Sequence, residues 1–134
     1  MTDTFSSADP AARRRRIAEG FELLNQGRVA EAVQLADTLC LEQPHDPEVH
    51  YLASEARRAA DDAEGALRGI EAALAMRGED PVLLLKRAEA LLMVRRRADA
   101  KLTATRAVQL APADGETLRL AGRVRLTANR LADE

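Results

Sequence analysis

The sequence predicts an all-α chain built on an internal repeat of 34 residues. Three observations carry this. The apolar residues are mostly Ala and Leu, and the aromatics are only Phe5, Phe21 and Tyr51, with no Trp. Such a chain can make close helix contacts but has little to build a sheet. The windows LEQPHDPEVHYLASEA (41–56), AMRGEDPVLLLKRAEA (75–90) and QLAPADGETLRLAGRV (109–124) share one punctuation. In each, an apolar run stops at Pro or Gly, an Asp follows two residues later, and a new amphipathic run begins. Lastly, apolar residues recur at i, i+4 and i+7 between these marks, the spacing of one helix face.

In chain order, Asp9-Pro10 is the first helix start, and residues 1–8 ahead of it are expected as a disordered tail. Asp46, Asp80 and Asp114 stand where a helix N-cap belongs, each carboxylate placed to accept free N–H groups of a first turn. Pro47 and Pro81 follow at the first helical position, where a missing N–H costs nothing, and Gly115 takes that place in the last copy. The second helices are expected within 27–44, 61–78 and 95–112. Their apolar columns are Ala32/Ala66/Ala100, Ala36/Ile70/Ala104 and Leu39/Ala73/Ala107, and their ends fall at Pro44, Gly78 and Pro112. Gly65 and Gly69 lie inside the second of them, each costing ~1 kcal/mol of helix stability against Ala unless close packing needs it. NRLADE (129–134) aligns with GRVAEA (27–32) and is expected to start a further second helix.

A 34-residue helix–turn–helix unit with a small residue late in helix one (Gly20, Ser54, Ala88, Gly122), Ala in helix two and a terminal Pro resembles the tetratricopeptide repeat. The resemblance implies a right-handed helical solenoid, a repeat domain over 9–134 with units 13–46, 47–80, 81–114 and a partial unit 115–134. The large aromatics that members of that family often carry are absent. Leu84 and Leu118 share one such column with Arg16 and His50, which leaves the register of the first two units open by one residue.

No catalytic constellation is visible. His45 and His50 have no Cys or carboxylate at a metal-ligand spacing, and there is no Gly-rich phosphate loop or Gly-x-Ser-x-Gly. Cys40, alone, excludes an internal disulfide and reads as a small packed residue in a reducing compartment. The expectation is therefore no enzyme, no cofactor and no metal. A formal charge of −2 gives no general attraction to nucleic acid, and no stretch approaches the ~20 apolar residues of a membrane span. With no secretory signal in residues 1–16, a cytoplasmic location is expected. Of the run Arg95–Arg97, Arg95 and Arg96 are expected to form inter-repeat ion pairs with Asp61 and Asp62 in the equivalent turn. Arg13–Arg16 has Glu19 and Glu22 at pairing distance on its own helix and otherwise reads as a solvated face.

In tetratricopeptide proteins the first helices line a concave surface for peptides or partner helices. The resemblance implies that Ile17, Tyr51, Leu85 and Arg119 line it here, then Phe21, Glu55, Glu89 and Arg123, then Leu24, Arg58, Leu92 and Leu126. Phe21 and Tyr51 either anchor a partner or pack between helices. The places where some members clamp a chaperone tail's carboxylate hold Ile17, Phe21, Leu52 and Val82, with only Lys86 basic, so a clamp of that type is not expected. Two readings follow: a non-catalytic adaptor or scaffold binding a protein segment, or the N-terminal recognition arm of a larger enzyme such as a transferase. In the last unit Glu116, Arg119, Arg123, Thr127 and Arg130 form a polar stripe, whereas Leu120, Val124 and Leu131 are expected to stay partly uncovered. That remainder implies a continuing chain, a second copy docking end to end through the C-terminal helix, or another protein.

Overall fold

A computed structural model describes residues 9–132, so the expectation of a disordered tail at 1–8 lies outside the described residues. Among these, all regular structure is α-helical: α1 (Pro10–Asn25), α2 (Val29–Glu42), α3 (Pro47–Ala59), α4 (Ala63–Arg77), α5 (Pro81–Met93), α6 (Arg97–Leu110) and α7 (Gly115–Ala132). The chain divides into two compact units, the first ending at Gly69 and the second beginning at Ile70, with the division inside α4.

The first helices start as cap chemistry dictates. Asp9, Asp46 and Asp80 are extended N-caps whose carboxylates accept the N–H groups of Ala11, Glu48 and Val82, each with Pro at the first helical position. Asp114 does the same for α7, accepting the Thr117 N–H at 2.9 Å and its hydroxyl at 2.7 Å. The second helices differ. α4 is capped by Asp62, which accepts from Gly65 N–H at 2.9 Å, while Arg28 and Arg96 open α2 and α6 with no side-chain cap. Each Arg instead grips the carboxylate three residues on, Glu31 or Asp99, at 2.6 and 2.8 Å. The acid offsets the cation at the positive end of the helix dipole.

One turn joins the helices of each pair, and it repeats. Gly27, Asp61 and Arg95, each 34 residues from the next, adopt left-handed φ values of 76°, 62° and 66°. In each turn the next residue's N–H reaches back to a carbonyl five residues earlier: Arg28 to Leu23, Asp62 to Arg57, Arg96 to Leu91, at 2.8–2.9 Å. These are Schellman ends, which satisfy carbonyls the helix leaves open. The fourth position of the column departs from expectation: Asn129 lies within α7, which runs on unbroken to Ala132, so the turn expected at 129 does not form. Among the described residues no apolar face of a following helix rewards a turn there. Gly122 accordingly has open space where a Cβ would be, whereas a Cβ on Gly20 would meet Leu52 Cδ2 at 2.6 Å.

The first unit's core gathers Ile17 of α1, Ala32, Ala36 and Leu39 of α2, and Val49, Leu52 and Ala56 of α3. In the second unit Leu83, Leu84, Leu85, Ala88, Leu91, Ala100, Ala104, Ala107, Ala121, Val124 and Ala128 are buried. All nine residues of the three expected second-helix columns are at most 1% exposed. Each fully buried Leu or Ile contributes ~1.5–3 kcal/mol, while Ala contributes mainly by letting backbones approach. Val124, expected to stay partly uncovered, is 4% exposed, because it faces inward from α7; Leu118 and Leu126 are the exposed leucines of that helix, at 45% and 60%.

Candidate partner-binding faces

In the first unit the first helices α1 and α3 bring Ile17, Phe21, Leu24 and Tyr51 together. The Phe21 and Tyr51 rings stand 5.8 Å apart between centroids and 44° from coplanar, an aromatic pair of the kind worth ~0.5–1.5 kcal/mol beyond area burial. Ile17 is 9% exposed and belongs to the core, while Phe21 and Leu24 pack half-buried against it. Glu55 and Arg58 form an ion pair at 2.7 Å beside them on α3.

In the second unit α5 and α7 enclose a hollow of about 300 Å³. Its apolar lining is Val82, Leu85 and Leu120, and Lys86, Glu89 and Glu116 supply charges of both signs. A smaller hollow of about 90 Å³ shares Glu89 and Leu120 with it and adds Leu92 and Arg123, so the two form one crease along the helix pair. Leu85, only 4% exposed, lies at the bottom, whereas Val82 is 59% exposed. Lys86 reaches Glu89 at 3.9 Å.

Of the residues named from sequence, Leu85, Glu89, Leu92 and Arg123 therefore share this crease. Arg119 is exposed and bound to Glu116, three residues back on the same helix, and does not line it. The reason is geometric: α7 covers Leu85, but Arg119 has no following first helix to cover it among the described residues. Thr117 and Leu120 belong to the crease and were not named from sequence as groove residues, whereas Val82, named only at a carboxylate-clamp place, forms its exposed wall. Following one column at 34-residue spacing names like positions on each helix, but the two walls of a crease use different faces of their helices. The i, i+3 pattern Val82/Leu85 with Thr117/Leu120 was the available signal.

In the arginine run of α1, Arg14 and Arg15 are exposed, while the first and last arginines find partners across the fold. Arg13 binds Asp46 at 3.1 Å and Arg16 binds Glu42, so neither is the free solvated charge expected, nor paired with Glu19 or Glu22. Asp46 thus both caps α3 and anchors α1. Arg96 binds Asp99, and Asp62 lies 3.7 Å from Arg57. His50 Nε2 shares a hydrogen bond of 2.8 Å with the Pro44 carbonyl. Burial pushes the Cys40 thiol up from its ordinary pKa, with Asp37 adding to the rise and Arg57 opposing it, which keeps it protonated and a poor nucleophile. Among the described residues no cluster of His, Cys, Asp and Glu could hold a metal ion, and no helix is long and apolar enough to cross a membrane.

No protein-family model matches the sequence, and no curated protein matches it. Solved structures do. The type III secretion chaperone SycD of Yersinia enterocolitica, in complex with a peptide of the translocator YopD, aligns at TM-score 0.75 and 20% identity over 90% of this chain and 94% of its own. PcrH in complex with the chaperone-binding region of PopD aligns at TM-score 0.73 and 21% identity over 90% of both chains. The first tetratricopeptide domain of Spaghetti (RPAP3) bound to the HSP90 peptide SRMEEVD aligns at TM-score 0.78 and 18% identity, over 92% of this chain and 96% of that one. These likenesses show the fold: a tetratricopeptide-like helical repeat.

Proposed function

We propose that this chain is a non-catalytic protein-binding adaptor that holds a peptide or helical segment of another protein against its first helices. One observation carries the reading: the α5–α7 crease has an apolar bottom at Leu85, an exposed apolar wall at Val82 and charges of both signs around it. An exposed apolar hollow rimmed by charge suits the apolar anchors of a partner segment, with rim charges selecting its orientation. Its volume of about 300 Å³ is at the small end of the ~300–1,000 Å³ usual for small-molecule sites, a size for side-chain anchors. The Phe21–Tyr51 pair would contribute a second anchoring surface in the first unit. The structural neighbours in complex with peptides of other proteins support the same reading. It takes residues 9–134 as one repeat domain and places the chain in the cytoplasm.

The test is selection of a displayed random-peptide library on the whole chain, followed by titration of a selected peptide into wild type and Val82→Asp. Val82 is exposed, so the variant folds. The reading expects enriched peptides with apolar anchors whose affinity falls at least tenfold in the variant, ~1.4 kcal/mol. Undiminished binding by Val82→Asp, or no enrichment at all, overturns it.

A further inference from the structure

Outside the crease, two faces stand out for their hollows, their exposed apolar groups and the opposite sign of their charges. The outer face of α6 and α7 holds a hollow of about 610 Å³ lined by Ala98, Lys101, Leu102, Thr105, Arg125 and Asn129. It is the place a second helix following α7 would occupy in this repeat, and Leu102 is left 69% exposed there. Its two cations meet only neutral groups among the described residues: Lys101 Nζ donates to Asn129 Oδ1 at 3.0 Å, and Arg125 to Thr105 Oγ1. No carboxylate lines this hollow.

The outer face of α1 and α2 holds a hollow of about 630 Å³ whose lining includes Leu23 and Leu35 and the carboxylates of Glu19, Glu31 and Asp37. Arg28 in the lining is engaged by Glu31 through two bonds of 2.6 and 2.7 Å, and Asp37 is held by Arg57 of α3 at 2.7 Å, which leaves Glu19 as the carboxylate in excess. One face thus offers two cations around an exposed Leu, and the other a net negative charge, with Glu19 left over, around two half-buried Leu residues.

We infer that the α6–α7 face of one copy of this chain docks on the α1–α2 face of a second copy, head to tail. Lys101 and Arg125 meet Glu19 and the Glu31 carboxylate, which they share with Arg28, and Leu102 enters the hollow beside Leu23 and Leu35. The contact is heterologous, so it does not saturate at a dimer unless a ring closes. It is independent of peptide binding in the α5–α7 crease, because it uses none of the residues that line it.

Sedimentation equilibrium of the whole chain tests it. At low ionic strength, raising the concentration from micromolar to millimolar lifts the average mass above the monomer's 14.6 kDa. At ~1 M salt, where screening acts within ~3 Å, the mass returns toward the monomer. Lys101→Glu/Arg125→Glu makes both faces acidic, and Glu19→Lys/Glu31→Lys makes both basic, so each variant alone stays monomeric. An equimolar mixture of the two restores association, a result that misfolding of either cannot produce. A wild type that stays at the monomer mass throughout, variants that associate like wild type, or a mixture that stays monomeric each overturns the proposal.

Discussion

Gly69 of α4 lies directly against Ser54 of α3: a Cβ on Gly69 would stand 3.0 Å from the Ser54 backbone nitrogen and 3.1 Å from the His50 carbonyl oxygen. Ser54 completes the contact by donating its buried hydroxyl to the Ala66 carbonyl at 2.7 Å. Backbone cannot yield as a side chain would. Gly69→Ala therefore loses stability by ~1–3 kcal/mol through overpacking, against the ~1 kcal/mol that Ala normally gains in a helix. Gly122→Ala, with nothing within 4 Å, gains ~1 kcal/mol. Urea unfolding of the two variants checks both signs; equal shifts would mean that α3 and α4 are not so close.

The left-handed turn column gives a second pair of opposed outcomes. Gly27→Ala forces a Cβ into φ 76° and costs ~1 kcal/mol, although nothing lies within 4 Å of it. Asp61→Gly relieves a non-glycine residue at φ 62° and gains up to ~1 kcal/mol. Thermal melts read both, and a loss in Asp61→Gly would show that the Asp side chain contributes more than its backbone costs.

Asp114 makes the stability of α7 pH-dependent. The Thr117 hydroxyl, then the Thr117 N–H, donate to its carboxylate and hold it below the ordinary carboxylate value of 3.8. A carboxyl depressed in the folded state contributes stability that is fully present above the unfolded value. That contribution is lost as pH falls from about that value through the folded one. Asp114→Asn removes this part of the acid limb and leaves the slope above pH ~5 unchanged. Urea midpoints of the two proteins across the acid range check it; parallel curves would contradict the cap's role.

The peptide SRMEEVD, which the RPAP3 neighbour binds, is expected to show no saturable binding here. The places where the tetratricopeptide resemblance puts a carboxylate clamp carry buried Ile17 and Leu52, half-buried Phe21 and exposed Val82, leaving Lys86, 3.9 Å from Glu89. A terminal carboxylate entering such a place would lose water without gaining the charge-assisted bonds that offset desolvation. Fluorescence polarisation with a labelled peptide measures this. A micromolar Kd would show that other cations form the clamp.

The fold was legible where its causes are local. Asp at 9, 46, 80 and 114 caps a helix within three residues of itself, and the Ala columns bury by spacing alone. What escaped depends on partners far along the chain. Arg13 reaches Asp46 across 33 residues and Arg16 reaches Glu42 across 26, so the acids on the run's own helix, Glu19 and Glu22, were misleading candidates. Asn129 shares a column with Gly27, Asp61 and Arg95, but a turn forms only where a following helix can pack, and sequence alignment is blind to that. The same limit hid Thr117 and Leu120 as groove residues, which join Val82 and Leu85 only because α5 and α7 stand side by side.

The most direct measurement of the central claim is an amide chemical-shift map of the whole chain titrated with a library-selected peptide. Binding in the α5–α7 crease predicts saturable shifts at Val82, Leu85, Lys86, Thr117 and Leu120, with Leu102 and Arg125 undisturbed. Shifts confined to the outer face of α6 and α7, or to that of α1 and α2, would contradict it.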